Sequence, residues 1–377
     1  MNSIHLVKLV AATAATAVMT TGAIAQDIQI GANFPMSGPN AEYGDLFSTA
    51  AAIAVEHANA DKMLSGKLSM VVEDSQATPQ QGVVSMNKLV NVEKVPYVLS
   101  AFTGVSKAIA PIGDKSKVVS INGGGISPDL AALGDYFWNV IPLVNNEVQA
   151  LTPYLVKEQK FNKIALIFVD DPAGEAIKNE LEKEIPRHGG KLVATFQIPR
   201  ASQQFAGIAA KVRRAKPDAV FIASFGAQQA QIIKQLRDNG VKQQLVSYSS
   251  FSVPNVLQLP EAEGAIFPTQ SIDWEADDIT RRLAADWRKR KGKEPNAYVA
   301  NYYNAVMVFV KLAQALEKDG QPITGENLLK QRQKSGTFEV AGGKMVFLSN
   351  GTVSVPLQLN QVSGGTSKVI KKKLVAQ

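Results

Sequence analysis

The sequence predicts an α/β protein of two doubly wound lobes, each a parallel sheet covered by helices. Short apolar strands alternate with helical segments from residue 26 to about residue 272, which is the pattern of parallel sheets. The alternation falters near Tyr136–Asn145 and then restarts as a second copy of the same plan. Because each copy can bury its own core, the two copies predict two lobes.

The first predicted strand, Ile28–Ala32, leads into a loop rich in Pro, Ser, Gly and Asn, and a helix follows. In an open α/β sheet, the loop that leaves the carboxyl end of the first strand faces the ligand crevice. Tyr43, Ser37 and the backbone around Gly38 are therefore candidates for ligand contact. An ordinary turn between strand and helix is the alternative interpretation.

The other strands of the two copies are predicted from apolar runs that end in turn-forming residues. They are Leu68–Glu73, Val95–Ala101, Val118–Ile121, Lys163–Val169, Leu192–Ile198, Ala219–Ser224 and Leu245–Tyr248. After Ile272 the periodicity predicts two helices, Asp277–Lys291 and Tyr298–Lys318, and then a hairpin of Lys344–Leu348 with Val353–Leu359 around an Asn-Gly turn. This tail is too small for a domain, so we expect it to complete both lobes.

Composition disfavours several classes of function. The chain has 377 residues and no cysteine, which excludes disulfides and thiolate chemistry. Its net charge of +7 is too small to indicate a nucleic-acid-binding protein. We interpret Arg288–Lys291 as a solvated helix end and Lys371–Lys373 as a solvated tail. His57 and His188 are expected at the surface, and the nucleophile-elbow, Walker A and H-E-x-x-H patterns are missing. We expect a monomer that is not an enzyme and binds no cofactor and no metal.

Residues 1–25 have the features of a secretory signal. Lys8 supplies the positive start, Leu9–Met19 is a short apolar run, and Ala23-Ile24-Ala25 is a small-x-small cleavage site. The apolar run is too short for a bilayer of roughly 30 Å. We expect cleavage before Gln26 and a mature protein in the periplasm.

Several motifs resemble those of periplasmic binding proteins of the leucine/isoleucine/valine type. Met36-Ser37-Gly38-Pro39 followed by Tyr43-Gly44-Asp45 is the most specific, and Ser127-Pro128-Asp129-Leu130 supports it. The resemblance implies two α/β lobes joined by three crossovers, near Pro142–Asn145, Thr269–Asp273 and Leu348–Val353. The first lobe would comprise residues 26–143 and 273–350, and the second 144–272 and 351–377. It also implies capture of a small solute between the lobes for an ABC importer in the inner membrane.

The resemblance implies a set of ligand contacts at the strand ends. The hydroxyl of Thr103 would hydrogen-bond a ligand carboxylate, and backbone N–H groups after Thr103 and Ser127 would form an anion site. Tyr43 would lie beside the ligand, with Phe225 as the aromatic residue of the second lobe. An N-cap role for Thr103, a core role for Phe225 and a simple tight turn at the glycines are the alternatives. The full expected set is Tyr43, Phe102, Thr103, Gly124, Gly125, Ser127, Ala173, Phe225, Ser249 and Asp273.

The departures from the family pattern concern the ligand's amino group. Amino-acid binders of this type carry an acidic residue near the loop after Leu245–Tyr248, where this chain has Ser247-Tyr248-Ser249-Ser250. Ala173 stands where the family has a tyrosine in the second lobe. Ile126 stands where the family has a residue with a hydroxyl group. Asp170, Asp171 or Asp273 could supply the missing charge, and a helix N-cap pair is the alternative interpretation of Asp170 and Asp171. The ligand is therefore expected to be an amino acid or an aromatic or aliphatic acid. A ligand-sensing receptor of the same fold is the alternative function.

Overall fold

The computed structural model describes residues 27–374, so the predicted signal segment lies outside the described residues. The first part of the chain forms β1 (Ile28–Phe34), α1 (Ala41–Ala60), β2 (Leu68–Asp74), α2 (Pro79–Asn91), β3 (Tyr97–Ser100), α3 (Thr103–Ser116), β4 (Val119–Asn122) and β5 (Phe137–Asn139). The second part forms α4 (Val144–Pro153), β6 (Lys163–Val169), α5 (Pro172–Arg187), β7 (Lys191–Ile198), α6 (Ala206–Ala215), β8 (Ala219–Ala223), α7 (Gly226–Asp238), β9 (Gln244–Val246), α8 (Pro254–Leu257) and β10 (Ile266–Gln270). The last part forms α9 (Asp278–Lys291), α10 (Ala297–Lys318), α11 (Gly325–Lys334), β11 (Thr337–Val340), β12 (Gly343–Phe347), β13 (Val353–Ser354), β14 (Leu357–Ser363) and β15 (Thr366–Leu374).

The first lobe is a five-stranded parallel sheet in the order β2-β1-β3-β4-β5. Helices α2 and α3 pack on one face through a core that includes Met86, Leu89 and Ile109. Helix α10 packs with α1 on the other face, and residues 298–310 of α10 are all buried. A helix that is largely apolar all round belongs in the interior. The two asparagines of this stretch, Asn301 and Asn304, are buried and donate to the carbonyls of Gly123 at 3.2 Å and Ala341 at 2.9 Å.

The second lobe is a seven-stranded sheet in the order β15-β14-β10-β9-β8-β6-β7. Strands β6 to β10 run parallel, while β14 and β15 pair antiparallel with their neighbours. The prediction of a solvated tail at Lys371–Lys373 is therefore wrong, because this segment lies in the edge strand β15. Lysines suit such a position, since charges discourage further strand pairing. Lys371 pairs with Glu158.

The chain crosses between the lobes three times. It does so at 140–143, at 271–277 and at 355–356, and the N–H of Ser271 donates to the carbonyl of Pro356 at 2.8 Å, which ties two crossovers together. The third crossover lies later than the predicted Leu348–Val353, because β13 still pairs with β12 of a small sheet on the first lobe. The predicted strand Val353–Leu359 is thus two strands in two sheets.

The strands predicted in the two copies agree with the structure to within one or two residues, and the two-lobed α/β fold is confirmed. Strand β10 was not predicted, and it contains Pro268, a residue that argues against a sheet interior. The structure accommodates Pro268 because β10 pairs with β9 only at Ile266. The surface prediction for His57 is wrong, since its Nδ1 lies 3.0 Å from the Tyr303 hydroxyl and its Nε2 2.7 Å from Asp286, under α9 and α10.

None of the helices within residues 27–374 combines the length and apolar character that a membrane span requires. Within the same range, no group of three or more His, Asp or Glu side chains is arranged to hold a metal ion.

Candidate functional site

Both sheets reverse their strand order at one point, and these points face each other across a cleft. In the first lobe the reversal lies between β1 and β3, and in the second between β6 and β8. Ligands of doubly wound sheets bind outside the carboxyl ends of the strands at such points. The loops and first helical turns that follow these strands carry Tyr43, Thr103, Ala173 and Phe225, and all four line one cavity between the lobes.

Thr103 is the first residue of α3, and its hydroxyl oxygen is already used as an acceptor. It accepts the backbone N–H groups of Ile126 at 3.1 Å and Ser127 at 3.3 Å. Since a hydroxyl has one proton and two acceptor lone pairs, the proton is what remains to offer a ligand. The first N–H groups of α3 lack intrahelical partners and add positive potential beside it. Thr103 therefore presents a donor suited to a carboxylate.

The residue before Thr103 carries backbone strain. Phe102 has φ of 62° and ψ of 134°, which is an outlier for a bulky side chain. Strain of this kind costs on the order of 1–3 kcal/mol and concentrates at functional sites. Here it places the Phe102 ring in the cavity wall, 5.6 Å from the ring of Tyr43 and 5.4 Å from that of Phe225.

Tyr43 and Gly124 complete the wall of the first lobe. The hydroxyl of Tyr43 is buried and makes no hydrogen bond of normal geometry, and burial holds its pKa well above the usual value although the nearby backbone of Gly226 opposes the shift. An unpaired buried hydroxyl is costly, so a ligand atom is the natural partner for it. Gly124 has no room for a side chain, because a Cβ there would lie 2.8 Å from the Tyr302 hydroxyl.

The second lobe contributes the N-termini of α5 and α7. Asp171 caps α5 by accepting the N–H of Gly174 at 2.8 Å, and burial raises the pKa of its carboxyl. Phe225 precedes α7 and meets Phe102 across the cleft at 5.4 Å between ring centroids. With α3, three helix N-termini converge on the cavity, which favours an anionic ligand group.

Nine residues that line the cavity were absent from the predicted set of contacts, and four of these carry polar side chains. Arg200 follows β7, and its Nη2 donates to the carbonyl of Ala77 in the first lobe at 3.0 Å. Tyr298 is the second residue of α10, Tyr248 follows β9, and Asp171 was weighed as a substitute acid or a helix N-cap. Arg200 and Tyr248 both follow strands, so the strand-end rule could have found them. Tyr298 was hidden in an apolar stripe that predicts only core packing.

Four predicted contacts do not line the cavity. Gly125 and Ser127 are buried behind it, where the N–H of Gly125 donates to Asn122 and that of Ser127 to Thr103. Ser249 also lies behind the wall. Asp273 is exposed on the second crossover, where it accepts the N–H of Glu275 at 3.1 Å, so the structure does not bring this acid to the ligand position.

A carboxylate does lie close to the position where the family pattern has its acid, but it comes from α4. Glu147 is fully buried, and its Oε2 accepts the N–H of Ser249 at 3.0 Å, while its Oε1 has no partner. Burial raises the pKa of Glu147 to about 8, against the opposing hydrogen bonds from Ser249. The Ser249 hydroxyl lies 3.4 Å from that of Tyr298, which lines the cavity. The sequence could have indicated that Glu147 is buried, because this acid shares the apolar face of α4 with Val144 and Leu151.

The cavity is small because the lobes are closed on each other. Its volume is about 30 Å³, whereas pockets for small ligands usually measure roughly 300–1,000 Å³. A larger cavity of about 710 Å³ lies beside the second crossover, and none of the predicted contacts lines it. We assign the candidate site to the smaller cavity, because it collects the strand ends of both lobes.

Gly226 lies where the lobes meet, and we expect Gly226→Ala to hinder closure. Its φ is +61°, and a Cβ would lie 2.4 Å from Asn40 Oδ1 and 3.3 Å from the carbonyl oxygen of Pro39 in the first lobe. The matched control is Gly292→Ala, which has the same φ of +61° and nothing within 4 Å. Both variants should lose about 1 kcal/mol of stability through backbone strain.

Only Gly226→Ala should also weaken solute binding, by about fivefold, which corresponds to roughly 1 kcal/mol. Urea unfolding and calorimetric titration of both variants measure the two effects separately. Equal affinities for the two variants would show that Asn40 and Pro39 do not limit closure.

Comparison with known proteins identifies the family. A family model described as periplasmic binding protein matches residues 27–367, which is most of the chain. The chain belongs to the periplasmic binding protein family. This binding protein is 25% identical over 336 residues to Leu/Ile/Val-binding protein homolog 1 of Brucella abortus (strain 2308), covering 88% of each chain. It is 24% identical to the leucine-specific-binding protein of Salmonella typhimurium, over 86% of this chain and 88% of that one.

Solved structures of binding proteins share the fold. The branched-chain amino acid transporter substrate-binding protein LivJ from Streptococcus pneumoniae, in complex with isoleucine, has a TM-score of 0.83 at 20% identity, over 93% of this chain and 100% of that one. A solute-binding protein of an ABC transporter from R. palustris, in complex with benzoate, has a TM-score of 0.83 at 15% identity, over 93% and 98%. At these identities the likeness concerns the fold and not the solute of this binding protein.

Proposed function

We propose that this binding protein captures a small carboxylate solute in the periplasm and delivers it to an ABC importer of the inner membrane. The solute is an amino acid or an aromatic or aliphatic acid, and the protein makes and breaks no bond. The observation that carries the proposal is the convergence, in one closed cleft, of three helix N-termini, the Thr103 donor and the Arg200 guanidinium. Such groups bind a carboxylate through charge-assisted hydrogen bonds.

The comparisons support this class of solute. The related structures are described as complexes with isoleucine, leucine, benzoate, 4-hydroxybenzoate and 3,4-dihydroxybenzoic acid, and every one of these compounds carries a carboxyl group. The cleft of this chain adds the rings of Tyr43, Phe102 and Phe225, which suit an apolar or aromatic solute body. The predicted signal segment supports export.

Binding moves the lobes, and the crossovers act as the hinge. Solute contacts residues from both lobes, so it stabilises the closed arrangement relative to the open one. Hydrogen bonds between the lobes hold the cleft closed. The N–H of Asn255 donates to the carboxylate of Glu42 at 3.2 Å, and Arg200 donates to the carbonyl of Ala77 at 3.0 Å. An importer would then recognise the closed form.

A thermal-shift screen tests the proposal. Amino acids, aromatic acids and aliphatic acids are compared with their neutral amides and esters, which keep the solute body and lose the carboxylate. A solute at 100 times its dissociation constant stabilises the folded state by about 2.7 kcal/mol, enough for a shift of several degrees. Carboxylates should shift the melting temperature, and their amides should not. The absence of a shift with all of the acids, or turnover of a bound compound, would contradict the proposal.

Phe225→Ala should weaken solute binding more than it destabilises the protein. The side chain is only half-buried, and its ring meets Phe102 of the other lobe, so it packs in full only when the lobes close. An aromatic pair contributes about 0.5–1.5 kcal/mol, which corresponds to a loss of affinity of about twofold to tenfold. The affinity is measured by calorimetry.

The matched control for Phe225→Ala is Phe221→Ala. Phe221 lies fully buried in β8, so this variant should lose about 3–5 kcal/mol of stability. It should keep its affinity as long as it folds. A larger loss of stability for Phe225→Ala than for Phe221→Ala would assign Phe225 to the core.

A further inference from the structure

We infer that Arg200 is a specificity-determining residue that latches the closed cleft, because its guanidinium holds the solute carboxylate and the first lobe at the same time. Gln228 is the positioning residue that aims it. An anionic solute then leaves only after the bond between Arg200 and the first lobe has broken. This inference rests on the proposed function, because it concerns how the same cleft keeps and releases a carboxylate solute.

Arg200 lies at the mouth of the cleft, where its side chain joins the two lobes. It follows β7 of the second lobe, and its Nη2 donates to the carbonyl of Ala77 in the first lobe at 3.0 Å. The residue is exposed to solvent and also lines the cavity. Since Ala77 and Arg200 belong to different lobes, this hydrogen bond forms only while the cleft is closed.

One side chain of the second lobe fixes the backbone that carries Arg200. The segment between β7 and α6 lies outside the helices and strands, and the Nε2 amide of Gln228 donates to three of its carbonyls, those of Pro199 at 3.0 Å, Arg200 at 3.1 Å and Ser202 at 3.2 Å. The Oε1 of Gln228 accepts the hydroxyl of Ser224 at 2.9 Å, which orients the amide. Gln228 does not line the cavity, so it acts on a solute only through Arg200.

The acceptor on the first lobe is held in a strained turn. Gln76 and Ala77 have positive φ values of 48° and 53°, which residues other than glycine rarely adopt. Asp74 Oδ1 accepts the N–H of Gln76 at 2.8 Å and that of Met36 at 2.9 Å, so the turn is anchored to the loop after β1. Strain of this kind persists where the surrounding structure fixes it, and it is concentrated at ligand sites. Both ends of the latch are therefore fixed by contacts within their own lobes.

The guanidinium has donors left for a solute. It carries five N–H groups in a planar fork, and among the described residues its one side-chain hydrogen bond is that to Ala77. Burial raises the pKa of the Asp171 carboxyl, and the charge of Arg200 opposes this rise, which places the guanidinium near the N-terminus of α5. The fork matches a carboxylate through two parallel hydrogen bonds. Arg200 can therefore hold a solute carboxylate while Nη2 holds Ala77.

Opening of the cleft can be measured directly, because the chain has no native cysteine. Val84→Cys on α2 and Lys211→Cys on α6 place one fluorescent dye on each lobe, both at exposed positions. The labelled protein is closed with leucine or benzoate, and rapid dilution of the solute then gives the opening rate from the change in energy transfer. We expect Arg200→Ala to open about tenfold faster than the wild-type protein or more, since a hydrogen bond of a charged group is lost.

Arg200→Lys tests the bridge, because it keeps the positive charge and loses the fork. It should open about twofold to tenfold faster than the wild type, as the loss of one hydrogen bond implies. Gln228→Ala should open faster by a similar factor, because Arg200 keeps its charge but is no longer aimed. In protein that already carries Arg200→Ala, Gln228→Ala should have no further effect on the opening rate, since both changes act through one contact.

Arg214→Ala is the matched control, because Arg214 is exposed on α6 of the same lobe and does not line the cavity. It removes the same charge and should keep the wild-type opening rate. The inference is overturned if Arg200→Ala leaves the rate unchanged, if Arg200→Lys preserves it in full, or if Arg214→Ala has the same effect as Arg200→Ala. Additive effects of Gln228→Ala and Arg200→Ala would also overturn it.

Failure of the proposed function has a different signature. If leucine, benzoate and the other acids of the thermal-shift screen all leave the energy transfer of the wild-type protein unchanged, no carboxylate closes the cleft, and the proposed function itself fails. If any of these acids closes the lobes, the proposed function stands, and the opening rates of the variants decide on the latch alone.

Discussion

Replacement of Glu147 by Gln should stabilise the protein at alkaline pH and have little effect in acid. The pKa of Glu147 is about 8 in the folded protein, because the carboxyl is buried, against an ordinary value of 4.5. Below about pH 4.5 both the folded and the unfolded chain hold the proton. Between about pH 4.5 and 8 the unfolded chain releases it and the folded chain does not, so the free energy of unfolding falls as pH rises. Above about pH 8 the dependence ends.

The size of this effect follows from the shift. Each pKa unit corresponds to about 1.4 kcal/mol, so the wild-type protein should lose up to about 5 kcal/mol across this window. An amide cannot ionise, so Glu147→Gln should match the wild type near pH 5 and exceed its stability by several kcal/mol near pH 9. Urea unfolding at a series of pH values measures the difference.

Glu184→Gln is the control for this variant. Glu184 is equally buried in the same lobe, but its carboxylate lies 3.4 Å from Arg187 and 3.7 Å from His188. Loss of these contacts should destabilise the protein at neutral and alkaline pH instead of stabilising it. If Glu147→Gln gains no stability at pH 9, ionisation of Glu147 in the folded protein costs little free energy, and the prediction is wrong.

Thr103→Ala should weaken solute binding by about tenfold to 150-fold, because a hydrogen bond to a charged group contributes about 1.5–3 kcal/mol. The variant should also lose about 1–3 kcal/mol of stability, since the N–H groups of Ile126 and Ser127 lose their acceptor. Calorimetric titration with the best acid from the thermal-shift screen gives the affinity, and urea unfolding gives the stability.

Thr103→Ser is the matched control, because it keeps the hydroxyl and removes one methyl group. It should retain both the two accepted hydrogen bonds and most of the affinity. If Thr103→Ala binds as tightly as Thr103→Ser, the hydroxyl is an internal acceptor only, and the anion site consists of the helix N-termini and Arg200.

The sequence located the cleft because strand ends can be read from local patterns. Apolar runs that stop at turn formers gave the strands to within one or two residues, and parallel sheets place ligands at their carboxyl ends. Tyr43, Phe102, Thr103, Ala173 and Phe225 all follow such strands and all line the cavity. The two copies of the β/α pattern predicted the two lobes, and the resemblance to a known family added the three crossovers between them.

Contacts that join distant segments were beyond local patterns. In the sequence, Tyr298 is one aromatic residue in the apolar stripe of a long helix. In the structure, its hydroxyl lies 3.4 Å from that of Ser249 in the other lobe. The family's acid is missing from the expected loop, and Glu147 of α4 reaches that loop in its place. Asp273, which the chain places near a crossover, remains at the surface.

By itself the sequence determined the fold class, the strand ends and the side chains that follow them, because all of these depend on neighbours along the chain. Only the tertiary structure decided which of those side chains face the cleft and which buried acid stands behind it. The physical reason is that the closing of two lobes brings together Glu147, Ser249 and Tyr298 from separate segments, and this burial sets the protonation of Glu147.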